Sequence, residues 1–357
     1  MGERNMRRNV EKSWRTIYLW AVLLAGDPTQ LNAEELRDAF RRVKSSVVVV
    51  KTAEREASSL SGWLLGSTGL GSGVLISEDG KLLTAAHVVQ TADRVTVEFI
   101  GGEQIPARVV SSEPNADVAL LQLESVPAGV EPARLGDSDK VEVGDEVFVV
   151  GAPYGLSHTL SSGHISGRIL DPSLGVRPGC EYLQTDAAIN RGNSGGPIFN
   201  MDGEVIGIAS RILSHSGGFE GIGFAATAKA VRLLLFERKP FWSGMDGIIV
   251  RGDVAAALNL PQKAGYLVQR VSQESPAWRM GIRPGALRAA IRGTELLIGG
   301  DIILSCNGME IRDEASLESI YERIRKLEPG ETVISKVLRA GEIVEVSSVV
   351  GSDPNRP

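Results

Sequence analysis

The sequence predicts a mainly β chain built in two parts of unequal size, and three observations carry this. The 41 glycines punctuate many short Val, Ile and Leu runs, which is the pattern of turn-rich β structure rather than of long helices. Helical spacing of apolar residues is sustained only near residues 32–44 and 313–327. The composition changes abruptly at Glu237-Arg238-Lys239-Pro240, a charged, proline-ended stretch that reads as a linker spanning residues 237–244. A chain of 357 residues has room for two to three domains with sizeable cores, and 43% apolar with 23% charged content excludes a disordered polypeptide.

The elements follow in order. Arg4, Arg7, Arg8, Lys12 and Arg15 precede the apolar run Ile17–Gly26, a basic-then-apolar pattern that fits a secretory signal or a short anchor over residues 1–28. The run is short for a membrane span of about 20 residues, and an amphipathic N-terminal helix is the alternative reading. Leu36, Ala39, Phe40 and Val43 then fall at helical spacing within residues 29–45, with Asn32 as the expected N-cap, Glu35 placed to reach back to it, and Leu31 and Leu36 as a staple. A first strand is expected at Ser46 to Lys51, then a loop over 53–70 whose Trp63-Leu64-Leu65 reads as buried packing or a subunit contact. Strands separated by turns such as Glu78-Asp79-Gly80 and Met201-Asp202-Gly203-Glu204 follow to residue 236, and a second unit occupies 245–350 before a short tail at 351–357.

Chemistry concentrates in three strings. Asn190-Arg191-Gly192-Asn193-Ser194-Gly195-Gly196-Pro197 puts a serine on a glycine-rich bend with its hydroxyl and neighbouring amides exposed. Upstream stand Thr84-Ala85-Ala86-His87-Val88-Val89 and Ala116-Asp117-Val118-Ala119. Gly-x-Ser-x-Gly also occurs at the nucleophile of α/β-hydrolases, but those run serine, acid, histidine; the order His87, Asp117, Ser194 is that of chymotrypsin-like proteases. Taken singly, Asp117 also reads as a turn aspartate, His87 as a core histidine and Ser194 as a turn serine. A serine hydroxyl is a poor nucleophile near neutral pH, so it needs an imidazole to take its proton and a carboxylate to orient that imidazole.

These strings, with Gly71-Ser72-Gly73-Val74 and Gly221-Ile222-Gly223-Phe224, resemble the HtrA/Deg family of trypsin-like serine proteases over roughly residues 46–350. The resemblance implies a chymotrypsin-like double β-barrel at 46–236, with one barrel at about 46–127, the other at about 136–236 and the active site between them. It implies His87 as general base, Asp117 as its orienting acid, Ser194 as nucleophile, and the Gly192 and Ser194 amides as the oxyanion hole. Ala187-Ala188-Ile189 precedes the nucleophile without an acid, so a preference for Lys or Arg is not expected. By resemblance Ile189, Ile212 and Ile222 line a shallow apolar pocket for Val, Ile, Ala or Leu; plain core packing is the alternative. A methylene in such a pocket discriminates by only about 1–3 kcal/mol, so preference is broad.

Residues 245–350 resemble a single, smaller α+β PDZ domain through Ala264-Gly265-Tyr266-Leu267-Val268, Ser275-Pro276-Ala277, Gly281–Gly285, Gly299–Ile303 and Asn307-Gly308. A helix at 313–327 bears Leu317, Ile320, Tyr321, Ile324 and Leu327 on one stripe, and a peptide would add as a strand beside it along Gly247, Ile248 and Ile249. Two departures stand out: Asp246 puts a negative charge where a terminal carboxylate should dock, and Ala286 to Ile298 is an insertion without an assigned role.

A net charge of -6 argues against a nucleic-acid partner. Cys180 and Cys306 are expected as free thiols, the latter buried. His158, His164 and His215 sit in Gly/Ser-rich segments without zinc spacing, so neither a metal nor an organic cofactor is expected. Two functions follow: an ATP-independent envelope protease acting on unfolded or damaged proteins, with peptide ligands of the second domain and a homotrimeric or larger assembly, or a peptide-binding scaffold or chaperone in which hydrolysis is minor.

Overall fold

In the computed structural model, residues 28–54, 68–152, 158–170, 180–291 and 293–351 are described. The basic-apolar N-terminal stretch and Trp63-Leu64-Leu65 lie outside them. Helix α1 (Pro28–Val43) leads into β1 (Val47–Ala53). It begins four residues before the expected cap: proline is tolerated in a first helical turn, where its missing N–H is not needed, so Asn32 lies inside the helix rather than capping it. Ala39 and Val43 of α1 are buried, with Leu36 and Phe40 packed beside them, as the helical spacing requires.

Six antiparallel strands close the first barrel in the order β1, β2 (Thr68–Leu75), β3 (Lys81–Thr84), β6 (Val118–Leu123), β5 (Gln104–Glu113) and β4 (Arg94–Glu98), with the short helix α2 (Ala86–Val89) between β3 and β4. Val48, Val50, Leu82, Leu121 and Phe99 fill its interior. The edge strand β7 (Arg134–Leu135) leads to the second barrel, formed by β8 (Glu146–Gly151), β9 (Thr159–Ile169), β10 (Tyr182–Thr185), β11 (Pro197–Asn200), β12 (Glu204–Ile212) and β13 (Gly223–Thr227); pairing of β11 with β12 closes it. Val147, Val149, Ile165, Leu183 and Ile198 pack inside. A third cluster, including Phe148 stacked on Phe199 at 5.2 Å, joins the barrels to α1 and to α3 (Ala228–Leu235). Because strands such as β1 have apolar residues on both faces, Val47 to Val50 are all buried.

The C-terminal unit comprises β14 (Met245–Arg251), α4 (Gly252–Ala257), β15 (Ala264–Val271), α5 (Pro276–Arg279), β16 (Leu287–Ile291), β17 (Thr294–Ile298), β18 (Ile302–Cys306), β19 (Met309–Glu310), α6 (Glu314–Arg325), β20 (Thr332–Arg339) and β21 (Glu342–Val349). Its sheet runs β14-β15-β18-β20-β21. The stripe of α6 places Leu317 and Ile320 against Val268, Ile303 and Val337 on one side of that sheet. The insertion is now explained: β16 and β17 form a hairpin whose Leu296 packs with Val250, Leu267 and Ile302 in a separate apolar cluster, and the Gln269 side chain pins the Leu297 backbone through two hydrogen bonds of 2.9 and 2.7 Å.

The segment read as a linker is packed rather than spanning solvent. Trp242 sits against the first barrel's core and donates its indole N–H to the Gln90 carbonyl at 3.0 Å. Ser112 N–H donates to the Phe241 carbonyl at 2.8 Å, and Ser272 Oγ to the Ala92 carbonyl at 2.8 Å.

Candidate active site

The three residues expected to act together converge on the face between the barrels. Asp117 lies in the turn between β5 and β6 with φ 55°, a left-handed conformation that short polar side chains tolerate better than most. Its carboxylate accepts from the His87 backbone N–H at 3.0 Å, and both its oxygens lie 2.9 Å from His87 Nδ1. Ser210 Oγ donates to Asp117 Oδ2 at 2.5 Å. With its acceptor sites engaged by Nδ1 and Ser210, the carboxylate fixes the tautomer that leaves Nε2 free to accept a proton.

Charge follows geometry. Burial pushes the Asp117 carboxyl up, but the hydrogen bonds from His87 and Ser210 outweigh it and hold the group below its ordinary value. Burial pulls the His87 imidazole down, and the hydrogen bond and charge of Asp117 carry it above 6.5 on balance.

Ser194 is half-buried on the bend between β10 and β11, and the barrel-to-barrel seam fixes that bend. Ser72 N–H donates to the Ser194 carbonyl at 2.8 Å, Ser72 Oγ to the Gly192 carbonyl at 2.7 Å, and Thr84 Oγ1 to the Ser72 carbonyl at 2.7 Å. Gly192 and Gly195 take φ of 105° and 83°, and a Cβ on Gly195 would drive into Thr84 and the Ser72 backbone, so glycine is required there. Among the described residues the Gly192 and Ser194 amides donate to no protein acceptor. The Ser194 hydroxyl lies 3.5 Å from the Ser210 carbonyl and makes no hydrogen bond to His87 among the described residues. Such bonds are often long before substrate arrives.

Of the expected pocket residues, Ile189 is buried and shares the second barrel's apolar cluster with Ile212 and Phe219, whereas Ile222 stands outside that cluster with its carbonyl accepting from Leu213 N–H. A Cβ at Gly223 would meet Ile189 Cδ1 at 2.8 Å and Phe219 at 3.5 Å, so this glycine keeps space open beside them. Gly247, Ile248 and Ile249 lie on the edge strand β14. Ile249 packs with Leu317, Ile320, Tyr321 and Ile324, while Ile248 is exposed and outside that cluster. A Cβ at Gly247 would meet the Leu267 carbonyl at 2.5 Å. Asp246 is opposite Arg270 in the β14–β15 register. Among the described residues no group of three or more His, Cys, Asp or Glu is arranged to hold a metal, and both cysteines are buried thiols outside any disulfide.

Three participants escaped sequence reading. Ser210 carried a signal, since a serine that directly follows the apolar run Val205 to Ala209 in one strand must find a buried partner. Ser72 carried the same signal beside Val74, and Phe219 carried none.

Two six-stranded barrels with histidine, acid and serine at their junction define a chymotrypsin-like peptidase fold. The family description Trypsin-like peptidase domain matches residues 71–208. A probable periplasmic serine endoprotease DegP-like from Marinomonas sp. is 34% identical over 334 residues, covering 91% of this chain and 65% of that protein. A protein of the same description from Brucella suis biovar 1 is 35% identical over 291 residues, covering 80% of this chain and 53% of its own length. Among solved structures, the HtrA-type protease AlgW with tripeptide superposes with a TM-score of 0.51 at 31% identity, over 88% of this chain and 96% of that one. The chain belongs to the HtrA/Deg family, and it spans only 65% and 53% of the two curated relatives' lengths.

Proposed function

We propose that the chain is a serine endopeptidase cleaving unfolded or damaged proteins without ATP, with Ser194, His87 and Asp117 as its catalytic residues. The observation that carries this reading is the hydrogen-bonded line from Ser210 through Asp117 to His87 Nδ1, ending beside a serine whose own amide and that of Gly192 donate to no protein acceptor among the described residues. Rotation of the Ser194 side chain away from the Ser210 carbonyl brings Oγ to His87 Nε2, which takes its proton as Oγ attacks a peptide carbonyl and later returns it to the leaving amine. Asp117 stabilises the imidazolium between these steps, and the Gly192 and Ser194 amides hold the oxyanion.

Ile189, Ile212 and Phe219 support an apolar primary pocket and cleavage after small or medium apolar residues. The unpaired outer side of β14 next to α6 supports peptide capture by strand addition, in the manner of a PDZ domain, with recruitment or regulation as its consequence. Arg270 across from Asp246 offsets the negative charge at the start of that groove. The descriptions of the curated relatives support a periplasmic or envelope location, and the family resemblance supports a homotrimer or larger assembly. Among the described residues no helix is long and apolar enough to cross a membrane.

The test is degradation of a loosely structured protein by the purified chain beside Ser194→Ala, with a serine-reactive phosphonate as probe. Cleavage and labelling that both vanish in the variant support the proteolytic reading. Peptide binding without either in the wild type supports the scaffold or chaperone reading.

A further inference from the structure

The turn that carries Asp117 is gripped from the C-terminal unit. Glu113, the last residue of β5, meets Arg325 of α6 in an ion pair with side chains only 5% and 6% exposed. Asn115, inside the turn, donates its side-chain amide to Glu318, about two helical turns before Arg325 on α6, and Tyr182 Oη of the second barrel reaches the Asn115 carbonyl at 3.5 Å. Positions 318, 321, 322 and 325 form one helix face: Tyr321 packs on Phe241 with ring centroids 5.3 Å apart, Glu322 pairs with Arg238 at 2.9 Å, and the Arg325 guanidinium lies 5.1 Å over the Phe241 ring. Through Glu318 and Arg325 that face reaches the β5–β6 turn of the protease unit, and through Tyr321, Glu322 and Arg325 it packs on the 237–244 segment.

This network is polar and buried. A small cavity between Gln90, Ser112, Phe241, Ser243 and Tyr321 borders the pair, and Gln90 Oε1, Ser112 Oγ, Glu113 Oε1 and Arg325 Nε lack aligned hydrogen-bond partners among the described residues. Besides Arg325, the charges acting on Glu113 are Glu318 and Arg238. Only three residues separate Glu113 from Asp117, whose left-handed backbone persists only where its surroundings determine it.

We propose that Arg325 is a positioning residue for Asp117: by holding Glu113, together with the Glu318 grip on Asn115, α6 sets the turn that presents the carboxylate to His87. The proposal rests on the proteolytic reading for its consequence, but its geometry is independent of turnover. The second domain thus contributes structurally to the first domain's acid.

The test is a titration of the four histidines in the full chain by NMR with carbon-13-labelled imidazoles, the His87 signal being the one absent in His87→Gln. In the wild type His87 titrates above 6.5 because Asp117 supports its proton. In Arg325→Met that value falls by about half a unit or more, roughly threefold in proton affinity, and kcat on a loosely structured protein falls about tenfold with KM within about twofold. Arg325→Lys, which keeps the cation, loses less of both. The double variant Glu113→Gln/Arg325→Met leaves no uncompensated buried charge, so it folds even where the single variant fails; it is expected to keep the His87 shift and the kcat loss. A double variant that titrates and turns over like wild type overturns the positioning role and reduces the pair to domain glue. A wild-type chain whose His87 behaves as stated but cleaves nothing overturns the proteolytic reading instead.

Discussion

Asp117 collects three donors, the His87 backbone N–H, His87 Nδ1 and Ser210 Oγ, and they do different work. The first two tie acid to base; the third holds the acid against rotation and lowers its proton affinity. Ser210→Ala is expected to lower kcat about tenfold with little change in KM, since a hydrogen bond to a charged group contributes about 1.5–3 kcal/mol and only part of that reaches the transition state. Steady-state kinetics on a fluorogenic peptide checks it. The same carboxylate sets the pH profile. His87 must be neutral to act as base and its proton affinity is raised, so kcat/KM is expected to rise through a value above 6.5, measured between pH 5 and 9. Stability runs the opposite way for this group: the Asp117–His87 contribution of the imidazolium is present below 6.5 and is lost as pH rises through the raised value. Ser194, His87 and Asp117 were legible because each sits in a short string whose neighbours announce a bend or a buried strand. Ser210 was not, because its partner lies 93 residues away.

At the scale of elements, periodicity found α6 and its buried stripe, and it found the burial of α1 while misplacing its start, because an Asn followed three residues later by Glu imitates a cap that Pro28 makes unnecessary. The true capping arrangement is on α6, where Asp313 Oδ1 accepts from Ser316 N–H at 2.8 Å and Ser316 Oγ accepts from the Asp313 N–H at 3.0 Å. Asp313→Ala is expected to loosen the first turn, seen as about fivefold faster hydrogen exchange at Ser316 with the amides of β18 unchanged. The hairpin of β16 and β17 was unreadable as an element: its apolar residues alternate only over five-residue strands, and its anchor, Gln269, is a long-range side chain-to-backbone contact that no local pattern encodes.

At the scale of the molecule, the sequence divides where the structure joins. Glu237 to Pro240 reads as a spacer by charge and proline, but Phe241 and Trp242 immediately after it are large apolar side chains that a solvent-spanning linker would not carry, and they seat the C-terminal unit on the first barrel. That seat buries Glu113, and burial pushes its carboxyl up to about 7 against the opposing pull of Arg325. A folded-state value above the ordinary 4.5 means the folded chain holds this proton more tightly than the unfolded chain does. The group's contribution to stability is therefore complete below 4.5 and is lost as pH rises through about 7. Glu113→Gln removes that dependence while keeping the shape of the side chain. Relative to this variant, wild type is expected to lose stability of order 2–3 kcal/mol between pH 5 and 8, read by urea unfolding with a probe of the domain interface such as Trp242 fluorescence. An identical pH dependence in both chains would mean that the carboxylate is compensated in place, with Arg325 offsetting its desolvation across the whole range.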